Sequence, residues 1–353
     1  MKKAIVSIVL ASMLMLSSAT PFVYAAPYEV ADGVVVTSEL DANTYDVAVF
    51  DGRCLNMKVD NMIDVFMIDR TLETEKSILN EMVSWENASG AISITYYDIE
   101  MQYPKTINYR KAQSEIYNMM MGESIRRFSE ISGADELSFM PKQDAIAQCM
   151  DIIGQLMLGL NVVCTDACGY TAADLNGIKA WLLENDEMYS EFCESGKISP
   201  PDEFKDEHEV YALNFAFELD GTHVFGNGEI GLSVRSENER KAAEKMYGSA
   251  LVDRTGIIRM ELCGLAQVEG EAERGQTITA HEAAKIAAER YADVIMSVNV
   301  EFGSAYLEYM PLVQGESELR FVPTWCIVAS PEGQPNMVLE ACRINALTGE
   351  VIN

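Results

Sequence analysis

Histidine is the scarcest chemically versatile side chain here: His208, His223 and His281 are the only three in 353 residues. Nucleophilic centres of the Ser–His–Asp or Cys–His kind need an imidazole beside the nucleophile. His208 sits in the charged run "DEFKDEHEV", His223 follows Asp220-Gly221, and no serine lies in G-x-S-x-G or S-x-x-K. His281-Glu282 opens as a zinc-peptidase helix does, but that motif requires a second imidazole four residues on, and position 285 is Lys. A basic cluster is also lacking. With 26 Lys and Arg against 55 Asp and Glu the formal charge is -29, which repels a phosphate backbone and excludes nucleic acid as a partner. No segment after the N-terminal run is long and apolar enough to cross a bilayer, so stable membrane insertion is not expected. "DANTYD", residues 41 to 46, spaces oxygen ligands but lacks the glycine and distal glutamate of a calcium loop. No catalytic residue, metal ligand or cofactor is assigned.

What is present begins with an export signal. Lys2 and Lys3 precede the uncharged apolar run Ala4 to Leu16, and Val23-Tyr24-Ala25 supplies small residues for cleavage after Ala25. No cysteine follows the apolar run, which closes the acylated lipoprotein route. Residues 1–25 are therefore expected to be a signal peptide, and the mature protein to be secreted or extracytoplasmic. The remainder has room for two or three domains, and an apolar fraction of 48% is enough for a core.

Eight cysteines lie beyond the signal. Cys164 and Cys168, on an extended segment, would stand about 13 Å apart, outside disulfide reach. Cys326 and Cys342 differ. Reflecting the chain about residue 334 sets them opposite each other, a candidate disulfide.

Apolar patterning divides the chain. "YDVAVF", "CLNMKVDNMIDVFMI" and "GAISITYYDIEMQY" read as strands, whereas "TLETEKSILNEMVSW" and "YRKAQSEIYNMMMGESIRRFSEI" read as helices. "SGADELSFMP" breaks the pattern, setting an N-terminal α+β lobe at 27–139. Aligning Ala145 with Ala283 places Ile153 on Tyr291, Leu156 on Val294, and Asn161-Val162 on Asn299-Val300 without a gap. Each copy runs from an apolar helical stripe directly into a β-branched run. In the second copy Thr279 and Glu282 form a capping box, and Ala280, Ala284, Ala287, Tyr291, Val294 and Val298 form the stripe, with His281 beside it near solvent. These copies delimit lobes at 140–275, with a helical insertion, and 276–353.

Residues 277–353 resemble a PepSY-like module: the helix "ITAHEAAKIAAERYA", a strand bearing Tyr309-Met310-Pro311, then Pro323-Thr324-Trp325 and the closing "RINALTGEVI". Tandem modules after an export signal are similar to extracytoplasmic regulatory proteins of two-component systems in Gram-positive bacteria and to secreted proteins of gut anaerobes. The expected fold class is α+β, antiparallel sheets each packed against a long helix, in two or three lobes. The resemblance implies a non-catalytic binding or regulatory protein of the cell envelope, recognising a protein or peptide. A secreted hydrolase with paired carboxylates is the alternative. Trp325 and Tyr309 are the candidate partner-binding residues, because large aromatics anchor interfaces; burial of Trp325 against the helix is the competing expectation.

Overall fold

A computed structural model describes residues 28–31, 33–37, 40–66, 71–98, 103–114, 116–117, 134–225, 246–291, 298–315, 317–334 and 340–352. The signal segment and most of the helix expected over 109–131 lie outside these residues.

Two large sheets dominate. Numbered in chain order, the first holds β1 (Tyr28–Ala31), β2 (Val34–Val36), β3 (Asp46–Cys54), β13 (Ala266–Gln276), β14 (Val300–Val313), β15 (Glu318–Pro331), β16 (Glu340–Asn345) and β17 (Val351–Ile352). The second holds β4 (Glu75–Leu79), β5 (Met82–Asn87), β6 (Gly90–Asp98), β7 (Tyr103–Arg110), β8 (Asn161–Tyr170), β9 (Val210–Leu219), β10 (Thr222–His223), β11 (Tyr247–Asp253) and β12 (Gly256–Cys263). Among the described residues five short α-helices accompany them: α1 (Val59–Phe66), α2 (Lys142–Gly154), α3 (Ala172–Asn185), α4 (Glu187–Glu194) and α5 (Ala280–Glu289).

The expected fold class is corrected by this content. Among the described residues 49% are strand and 23% helix, so the protein is mostly β and not a set of sheets each under a long helix. Three local causes are visible. Residues 75–87 form the β4–β5 hairpin, because Asn80 takes the left-handed conformation (φ 52°) and turns the chain; Val83 and Trp85 then alternate inward with period two. The stretch after Cys54 leaves the sheet and becomes α1, not a strand. Finally, α5 spans only ten residues, and Val298, assigned to its buried stripe, is 48% exposed.

Both quoted helix–strand copies do lead into antiparallel runs. After α2 the sheet order includes β8-β9-β11-β12, and after α5 it is β14-β15-β16-β17. Strands from the N-terminal segment complete both sheets. β2 pairs in parallel with β14, β3 bridges β13 and β15, and β7 joins β12. The boundaries at 139/140 and 275/276 therefore divide the chain without dividing the sheets.

The largest core lies between the sheets and includes Phe215, Phe217 and Met260 from one, Leu319 and Phe321 from the other, and Met62 and Cys149 from α1 and α2. A second core sits under α5, with Ala283, Ala287, Trp325 and Ile327. A third lies under α3 and α4 around Leu175, Ile178 and Tyr189. The long strand β15 serves two of them. Its odd-numbered residues enter the first core at Leu319 and Phe321 and the second at Trp325, Ile327 and Ala329, as the two-residue period of a strand requires.

Candidate functional site

The residues singled out from sequence are mostly structural. Trp325 is 4% exposed and its Nε1 donates to the Ile278 carbonyl at 3.0 Å. Tyr309 is 1% exposed, its ring edge-on to Phe50 and its carbonyl accepting from the Phe225 N–H at 2.7 Å. Neither is on the surface, so the partner-binding assignment is corrected to core packing for both. The candidate disulfide fails on register. Cys326 lies opposite Arg343, and Cys342 opposite Ile327. One residue of slip sends the two side chains to opposite sheet faces; all eight cysteines stand as thiols.

The histidines are far apart in role. His281 is 5% exposed on α5, not near solvent as expected. His208 Nδ1 accepts from the Lys205 N–H, and His223 Nδ1 lies 3.7 Å from Glu218. The Asp41 carboxylate of "DANTYD" is taken up by Asn43 and the Tyr45 hydroxyl. Among the described residues no three His, Cys, Asp or Glu are grouped to hold a metal. Burial raises the thiol pKa of Cys54, Cys164 and Cys263, and holds that of Cys149 at about 12. A nucleophilic thiol needs the opposite shift.

Sequence reasoning missed three features. The first is a cleft of about 550 Å³ where the end of β3, the start of α1 and the α2–β8 loop meet. Its lining includes the polar residues Arg53, Asn56, Lys58, Asn61 and Gln267 and the apolar Met57 and Met157, with Leu156 fully buried behind them. Gln267 stands opposite Arg53 across β13 and β3, and its Nε2 donates to the Met157 carbonyl at 3.3 Å. Its Oε1 is buried without a hydrogen-bond partner among the described residues. The sequence signal was the run Arg53 to Asn61, which has two cations and two carboxamides but a single acid, Asp60, in a strongly acidic chain.

A second cavity, about 370 Å³, is lined by Phe66, Tyr109, Ile152, Ile257 and Met260, with Lys111 at its wall. The Lys111 ammonium donates to the Thr255 carbonyl at 3.2 Å, and burial lowers its pKa against the opposing pull of Asp253. Asp253 in turn accepts from the Thr255 N–H and hydroxyl, so this amine is tied to the β11–β12 turn. Third, among the described residues β4 ends the path of the second sheet, and all five of its residues are exposed. Ile78 and Leu79 at its tip are 62% and 64% exposed.

No family model matches the sequence, and no curated protein does. Among solved structures the chain is similar to an uncharacterized protein from Eubacterium rectale, with a TM-score of 0.54 at 16% identity over 92% of each chain. That likeness shows a shared fold.

Proposed function

We propose that this is an exported, non-catalytic binding or regulatory protein of the cell envelope that recognises an extended segment of a protein or peptide by adding it to the β4 edge. The exposed edge carries this reading. Leu79 and Met82 flank a two-residue turn and so exchange hydrogen bonds, which directs the backbone groups of Ile78 and Lys76 outward. An incoming strand would satisfy those groups and cover the Ile78 and Leu79 side chains. The signal-like N-terminus and the PepSY-like pattern of residues 277–353 support placement outside the cytoplasmic membrane.

The test is affinity capture of the mature protein from envelope extract alongside an Ile78→Pro variant, followed by mass spectrometry. Proline at that position removes an outward N–H and leaves the hairpin ladder intact. A partner retained by the parent protein and lost by the variant supports the reading. Equal capture by both, or cleavage of a peptide or glycan panel by the purified protein, sinks it.

A further inference from the structure

The cleft beside Arg53 has a composition unlike that of the rest of the molecule. Acids outnumber bases 55 to 26 over the chain, yet the lining of this cleft includes Arg53 and Lys58 and no carboxylate. Arg53 does pair with one acid outside the lining, Glu269, whose carboxylate lies 3.4 Å from Arg53 Nε; both side chains are about half exposed. An exposed pair of this kind is weak, and it engages one of the three guanidinium nitrogens. Arginine presents a planar fork that matches a carboxylate, and Lys58 adds a second positive charge to the lining.

The amides narrow the ligand further. Gln267 cannot turn its carboxamide over without giving up the bond from Nε2 to Met157, so its buried Oε1 remains an acceptor. That oxygen has almost no accessible surface, so the acceptors open to an N–H or O–H on the ligand are the exposed carboxamides of Asn56 and Asn61.

We infer that this cleft binds an α-carboxylate with an adjacent hydrogen-bond donor, the chemistry shared by N-acylated amino acids and peptide C-termini. The carboxylate lies against Arg53 and Lys58, the neighbouring N–H faces the exposed carboxamides of Asn56 and Asn61, and Met157 meets the apolar side chain. The site is distinct from the β4 edge, and neither proposal depends on the other.

Calorimetric titration of the mature full chain tests it with three probes: N-acetyl-alanine, an N-acetylated tripeptide with a free C-terminus, and the same tripeptide amidated. The two carboxylate probes are expected to bind saturably at millimolar concentration or below, and amidation to weaken binding about tenfold or more. Tighter binding of the tripeptide assigns a peptide end; equal binding assigns an acylated amino acid. Arg53→Gln, a change at a half-exposed side chain that leaves the core alone, should cost a similar factor, with unchanged circular dichroism confirming the fold. Equal binding of the amide, undiminished binding by Arg53→Gln, inorganic phosphate competing as well as the carboxylates, or no saturable binding of either carboxylate would each overturn the assignment.

Discussion

Gly52 shows how tightly single residues are held. A Cβ added there would come within 2.6 Å of the Gln267 carbonyl and press on the Phe321 ring. Gly52→Ala is therefore expected to cost about 1–3 kcal/mol through overpacking, measured by urea unfolding. Thr279 and Glu282 act in the other direction. The Thr279 hydroxyl accepts from the Glu282 N–H, and the Glu282 carboxylate accepts from the Thr279 N–H and hydroxyl. Thr279→Ala should cost about 1 kcal/mol. The same bonds hold the Glu282 carboxyl below its ordinary value. A depressed acid contributes stability that is present above the ordinary carboxylate value and is lost as pH falls through the folded one. The stability difference between the parent protein and Glu282→Gln should accordingly shrink in acid. Tyr96 and Tyr109 carry the opposite sign. Burial pushes both phenols up to about 12 from an ordinary 10. Their stabilisation is complete below pH 10 and declines as pH climbs towards 12, so phenolate absorbance should rise in step with loss of the far-ultraviolet signal.

At the scale of the element, register governs what side chains can do. The reversal of the chain about residue 334 was legible, but its register was not. Cys326 facing Arg343 rather than Cys342 is a one-residue difference that no composition encodes. Because the cysteines stand as thiols, a reducing agent is expected to leave the melting temperature of the mature protein unchanged; a fall of several degrees would contradict the register. The capped start of α5 was plain in Thr279-x-x-Glu282, because a cap is a contact between residues three apart, and the structure shows the same box at Thr171 and Asp174 of α3. The β4–β5 hairpin was mistaken for a helix because Ile78, Met82 and Trp85 also fit a helical period. The turn at Asn80 decided between them.

The whole molecule is joined by the β14–β15 hairpin, whose residues enter both the intersheet core and the core under α5. Phe321 is fully buried, and Phe321→Ala should destabilise by about 3–5 kcal/mol. Since one strand serves both cores, the loss should appear as one shifted transition with near- and far-ultraviolet signals coincident, not as early melting of the intersheet region alone. The candidate cleft belongs to this scale as well. Arg53 and Gln267 are 214 positions apart in sequence and meet because β3 and β13 pair.

By itself the sequence determined the features that depend on near neighbours or on totals: an acidic composition, the capping box at Thr279 and Glu282, and the succession of helix into strand at both quoted stretches. Tertiary structure alone decided which strands share a sheet, which aromatics are buried, and where cations gather. Pairing joins residues hundreds of positions apart, and a strand's inward face is set by its partner across the sheet. Trp325 and Tyr309 look like anchors in isolation and become core residues once β3, β14 and α5 close around them.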